Sequence, residues 1–457
     1  MSFDLAFHGG SVVTSSGRRR ASVYVRDERI AVVGGETLPA ARTVDATGLL
    51  VLPGMIDTHV HFMDPGDASR EDFPTGTSAA ACAGVTTVVE HTHSRPVRTV
   101  AELQAKRAHL AQRAVVDYGL AAHAWPDLLD EAEPLWRAGA TYLKVFTCTT
   151  HGVPGFDAAH LLELFRRSAA VGARCLVHCE DESITGYWEE SLRAAGRRDP
   201  AIVCEWRNRD AEATATLVTA FLARIAGASV VIAHASNPDI LRLVERERAA
   251  GADVLVESCP QYLLLREDEL LDFGPFRKFT PPARARSQGD LDRMWEALAT
   301  NRIHHVSSDH APSTAAQKTA GEIWDVHFGL PGIDTTLPVL LDAARAGLIA
   351  YERVVEAYSE APARAYGLWP RKGSLREGAD ADVVLVDPER SWAVTDDSVI
   401  SRAGWSPFSG RTFVGGAVAT YVRGALVAAD GKAVAEPGTG RFVAGAGARP
   451  QAGTVRE

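Results

Sequence analysis

No stretch of this 457-residue chain stays apolar for anything near the roughly 20 residues that span a bilayer, so no transmembrane helix and no membrane partner are expected. Cysteine is sparse: six residues, scattered, with no C-x-x-C spacing, which excludes a disulfide framework and a zinc ribbon. No basic stripe or Lys/Arg-rich tract offsets a net charge of −10, and nucleic acid is not an expected partner. The opening MSFDLAFHGGSVVTSSG lacks the basic-then-apolar layout of a signal peptide, so a cytoplasmic location is the expectation. No G-x-G-x-x-G turn follows the first apolar strand candidate, which counts against an open doubly wound sheet.

What is present is an ordinary soluble composition, 46% hydrophobic and 23% charged, over a length that suits several domains or one large α/β barrel with an addition. Residues 1–50 read as short strands, Asp4–Phe7, Ser11–Val13, Ala21–Arg26, Arg29–Val33 and Thr43–Asp45. A similar pattern returns in 377–440, with Ala381–Val386, Val418–Val422, Gly424–Val427 and Lys432–Val434. Together these ends predict one small, discontinuous β-sandwich domain. The Gly- and Ala-rich segment from Glu436, including a tail at 441–457, is expected to be extended or mobile.

Between them, 51–376 alternates strand and helix candidates. The strands are Leu50–Ile56, Thr86–Glu90, Asp117–Ala121, Thr141–Phe146, Ala173–His178, Ser229–His234, Asp253–Glu257 and Ile303–Ser308. The helices, with apolar residues three and four apart, include Ala101–Ala114, Ala158–Val171, Ala211–Ile225, Asp239–Ala250 and Leu291–Ala299. Asp157 is placed to cap one helix and Gly172 to end it. Such repeated βα alternation predicts an α/β fold, a (β/α)8 TIM-type barrel.

In a TIM-type barrel, reactive groups stand at the carboxyl ends of the strands. The stretch LLVLPGMIDTHVHFMD ends the first strand with His59 and His61, which share one face because side chains alternate. They either hold one metal ion or are two ordinary polar histidines at a strand end. Later strands end in Lys144, His178, His234 and Asp309. Each has a plain structural reading: a hydrogen-bonded His, a snorkelling Lys, a turn-forming Asp. Their coincidence at successive strand ends favours one shared site. His91 and His93, after the second strand, share a face and either line the pocket or bond to neighbouring loops.

The motifs PGMIDTHVHF, GVTTVVE, LKVF, LVHCE, AHASNPD, ESCPQYL, SSDHAP and WSPFSGRTFVGGAVATYVRG carry a resemblance. From about Phe3 to Val443 the chain resembles the cyclic-amide hydrolase branch of the amidohydrolase superfamily: hydantoinases, dihydropyrimidinases, allantoinases and dihydroorotases. The resemblance implies that His59, His61 and Asp309 bind one divalent ion and His178 and His234 a second. Lys144, carboxylated by CO₂, would bridge the two. Zn²⁺ is the first expectation for this donor set, with Mn²⁺ or Co²⁺ as alternatives. It also implies ring opening of a small cyclic ureide or cyclic amide by a metal-bridging hydroxide, with Asp309 as general base and then acid. A homotetramer or dimer is implied as well.

The departures from the family pattern narrow the substrate. Met63 stands where dihydroorotases carry a carboxylate-gripping Arg, and Thr149 where some hydantoinases carry an oxyanion-supporting Tyr. Thr280 replaces a Ser whose backbone holds the ring, and Phe328, before Gly329 at the other backbone contact, replaces an Asn. Thr149, Thr280, Gly329, His93 and Met63 are thus the candidate substrate contacts, with Phe62, Met63 and Phe73 as an apolar wall. A hydantoinase or dihydropyrimidinase activity is expected. Allantoinase is the alternative, ahead of dihydroorotase or a non-catalytic dihydropyrimidinase-related scaffold.

Overall fold

Gly54 divides the stretch expected to form one strand, Leu50–Ile56. Leu50–Pro53 pairs antiparallel with Val383–Ala393 and parallel with Ser11–Thr14. β1 (Met55–Val60) belongs to a different, parallel sheet. A Cβ at residue 54 would meet the Thr86 side chain at 1.9 Å, so only glycine lets the chain cross here. This computed structural model describes residues 2–35 and 37–448.

The parallel strands continue with β2 (Val85–Glu90), β3 (Asp117–Leu120), β4 (Leu143–Phe146), β5 (Arg174–His178), β6 (Ser229–Ile232), β7 (Val254–Ser258) and β8 (His305–Val306). β1, β2 and β3 form one sheet. Ala122–His123, just past the end of β3, pairs with β4 and opens a second sheet that runs in order to β8. At the far side, a parallel bridge joins Val60 to His310, and the His61 N–H donates to His310 O at 2.7 Å. β1, β2 and β4 are buried throughout, as continuous apolar runs covered on both faces require. The last strand is shorter than the expected Ile303–Ser308.

The helix Ala158–Val171 has the expected extent, with the Asp157 carboxylate accepting from the His160 N–H and Gly172 at φ +71°. Ser287 caps another at Gln288, earlier than the expected start at Leu291. Val100–Leu110 stops short of the expected Ala114.

Two further sheets, one of four strands drawn from residues 3–45 and one of seven strands drawn from both chain ends, share a core of Leu5, Phe7, Val23, Val51, Val383 and Leu385. The arginine-rich edge strand Gly17–Arg20 has no apolar alternation and escapes a hydropathy reading. The segment from Glu436 is extended, as expected, but pinned rather than mobile as far as 448; residues 449–457 lie outside the described residues. The Gly438 and Gly440 N–H groups donate to Ala114 O, Val443 to Tyr118 O, and Gly445 to Gly139 O. Its glycines permit close approach: a Cβ on Gly445 would meet Ala140 O at 2.2 Å. Gly445→Val is therefore expected to lower unfolding stability by about 1–3 kcal/mol, measured by denaturant titration.

Candidate metal centre

His59 and His61 leave the carboxyl end of β1 on one face, both nearly fully buried. His59 Nδ1 lies 2.7 Å from Glu257 Oε1, at the end of β7. A carboxylate only accepts, so the imidazole proton sits there and Nε2 is bare. That bare nitrogen is 3.2 Å from Asp309 Oδ1 and 3.4 Å from Lys144 Nζ, and His61 Nε2 is 3.3 Å from the same Asp309 oxygen. His178 repeats the pattern. Its Nε2 faces Glu180 Oε2 at 2.7 Å, leaving Nδ1 bare and 3.0 Å from His234 Nε2.

The bare His59 Nε2 and the Asp309 carboxylate oxygen face each other with lone pairs, which repel unless a proton or a cation lies between them. Ligands about 2.0–2.1 Å from a tetrahedral ion are about 3.3–3.4 Å apart, close to the spacings here. The donor set therefore fits divalent metal. Burial lowers the His61 and His234 imidazoles well below their ordinary range, which keeps them neutral as ligands must be.

Burial likewise lowers the Lys144 amine to about 8, so a free, nucleophilic amine is within reach near neutral pH. Burial pushes the Asp309 carboxyl up to about 6, against His59 and Lys144. Asp309 and His234 both hold positive φ, +50° and +37°, the kind of backbone strain that concentrates at functional sites.

Around these groups lies a set of partners that sequence reasoning missed. Burial opposes ionisation of Glu180, but Arg207 and Arg284 outweigh it and hold its carboxyl well below the usual range. Cys148, His178 and Glu180 cluster closely enough to suggest a separate metal site, but the two guanidiniums already occupy Glu180. Glu257 lies within ESCPQYL, so a carboxylate ending an apolar strand was the available signal. Arg207 and Arg284 sit in loops and carried none.

Above the imidazoles opens a small cavity. Of the candidate substrate contacts, Thr280, Gly329 and His93 line it; Met63 and Thr149 do not. Met63 turns away at φ +57°, and its sulfur accepts from the Thr92 hydroxyl at 3.1 Å. Thr149 is exposed, its hydroxyl accepting from the Gly155 N–H. Phe62 and Phe73 pack against each other beneath the site, so the expected wall is corrected: Phe146, Phe279, Phe328 and Leu330 provide it. His93 stacks on His151, centroids 4.2 Å apart, at the cavity edge. His91 instead lies below, its Nδ1 2.7 Å from the Tyr142 hydroxyl.

Parallel strands that converge imidazole, carboxylate and lysine groups at their carboxyl ends define a hydrolase scaffold whose histidines could bind metal. The amidohydrolase family model matches residues 50–427, and the chain belongs to that family. It is 37% identical to a dihydroorotase of Halobacterium salinarum over 91% of this chain and 94% of that protein. It is 36% identical to an allantoinase of Rubrobacter xylanophilus over 98% of each. The solved L-hydantoinase (dihydropyrimidinase) from Arthrobacter aurescens matches with a TM-score of 0.93 at 32% identity, covering 97% of this chain and 100% of that one. Among the described residues no helix is long and apolar enough to cross a membrane.

Proposed function

We propose that the chain hydrolyses the ring amide of a cyclic ureide, of hydantoin or dihydropyrimidine type. The observation that carries this reading is the convergence of the His59, His61, His178 and His234 imidazoles with Asp309 and buried Lys144 at the floor of an aromatic-walled cavity. His59, His61 and Asp309 would hold one divalent ion, Zn²⁺ above Mn²⁺ or Co²⁺, and His178 and His234 a second. Lys144, as its CO₂-derived carbamate, would lie between them. When bound, the ions supply an acidified water and polarise the ring carbonyl. Asp309 accepts a proton as the water attacks and returns it to the leaving ring nitrogen. Glu257 and Glu180 orient His59 and His178 and fix their tautomers.

The ring is held through the backbone near Thr280 and Gly329. The Thr280 hydroxyl donates to Glu180 at 2.9 Å, which leaves its backbone for the substrate. Gly329, at φ +116°, packs so closely on Ala311 that a Cβ would meet Ala311 O at 2.2 Å.

In the same reading the two parallel sheets are arcs of one closed (β/α)8 barrel over 51–376, meeting at Ala121 and at the Val60–His310 bridge. The terminal sheets are a β-sandwich domain of 1–50 and 377–440. The exposed apolar residues Leu217, Val218, Phe221 and Ile225 on one helix support a homotetramer or dimer.

Among the described residues lining the cavity, Lys144 is the one Lys or Arg, so nothing there grips a substrate carboxylate. The aromatic wall gains about 25 cal/mol per Å² from an apolar ring substituent. The kcat/KM of the metal-loaded chain should therefore rank a 5-alkyl or 5-aryl hydantoin above dihydroorotate by at least tenfold, about 1.4 kcal/mol. The reverse ranking would defeat the reading. The polar edge formed by His93 and His151 favours a second substrate, allantoin, whose ureido arm it could bond; a clear preference for allantoin would shift the assignment there.

A further inference from the structure

His91 is explained neither by the ligand set nor by the cavity lining. Its Nδ1 lies 2.7 Å from the Tyr142 oxygen, which is also 2.6 Å from Thr58 O. A carbonyl cannot donate, so the Tyr142 proton goes to Thr58 O, and the hydroxyl oxygen accepts from His91 Nδ1–H. The neutral ring then has a bare Nε2.

That atom is buried and has no partner among the described residues. The His91 ring stands 4.5 Å from the His59 ring and 4.4 Å from the His61 ring, centroid to centroid. One ring nitrogen from each of the three lies within 4.8 Å of the others. A buried acceptor without a donor is costly, and a cation is what this neighbourhood is built to receive.

We propose that His91 is a further metal ligand: its Nε2 reaches the ion held by His59 and His61, giving that position three imidazoles. Tyr142 is then a positioning residue that fixes the tautomer in which Nε2 is free, the role of an outer-shell partner. An additional neutral nitrogen donor leaves the charge of the position unchanged and raises its coordination number. It favours borderline first-row dications over oxygen-seeking Mg²⁺ or Ca²⁺. The inference rests on the metal-centre reading above.

The test uses the full chain loaded with Co²⁺, whose paramagnetism shifts the exchangeable N–H resonances of coordinated imidazoles. Five shifted resonances are expected, one each from His59, His61, His91, His178 and His234. His91→Asn keeps an amide N–H near the Nδ1 position and removes Nε2. It should show four, and a chelator should strip one of its two ions at least tenfold faster than from the wild type. Four resonances in the wild type with two ions bound would overturn the role of His91 and leave the metal centre standing. So would three ions per chain, or chelator release within twofold of wild type. A chain that binds no ion overturns both readings. The wild-type count decides the matter even where the variant does not fold.

Discussion

Asp309→Asn is expected to keep most of the bound metal while turnover falls by about 10²–10⁴-fold, the usual worth of general acid–base catalysis. The amide preserves an oxygen near His59 Nε2 and His61 Nε2, so the first ion loses little of its ligand geometry. What is lost is the ability to take a proton and return it to the ring nitrogen. Position 309 is left-handed, at φ +50°, a region asparagine tolerates better than most residues, so folding should survive. Metal content and kcat measured on one preparation check the outcome. Wild-type turnover in this variant would remove Asp309 from the mechanism.

Lys144→Ala has the other large effect: the chain should lose both ions, and activity with them. Lys144 is about 1% exposed, and its neighbours in LKVF are apolar, so no other residue of that strand supplies a bridging anion. Five imidazoles or fewer with one carboxylate would hold two dications poorly, since a bridge between the positions is missing. A small carboxylic acid added to the variant should partly restore metal and turnover by entering the space the side chain leaves. Elemental analysis after dialysis is the check. Two ions per chain in the variant, without the acid, would contradict the carbamate.

The grouping of the six proposed ligands was legible in the sequence because each stands at or near the carboxyl end of a predicted parallel strand. His59, His61, Lys144, His178, His234 and Asp309 come together on that basis. The reasoning fails at Met63 and Thr149. Met63 has left β1 and turned left-handed, so a position counted from the His pair no longer says which way it points. Thr149 lies in a loop that folds back through a Thr150–Val153 bridge, and its direction depends on that local turn. Arg207 and Arg284 reach Glu180 across the fold, and spacing along the chain carries no trace of it. The closing segment misled for another reason. Glycine there was read as freedom, whereas at Gly440 and Gly445 it allows backbone to press on backbone.

The most direct test of a two-ion ring-opening hydrolase is a titration of the metal-free chain with Zn²⁺ in bicarbonate buffer, with the opening of a 5-substituted hydantoin followed throughout. The binuclear reading predicts negligible rate without metal and a rise that reaches its plateau at two ions per chain. Full activity in the metal-free chain, or a plateau already reached at one ion, would contradict it.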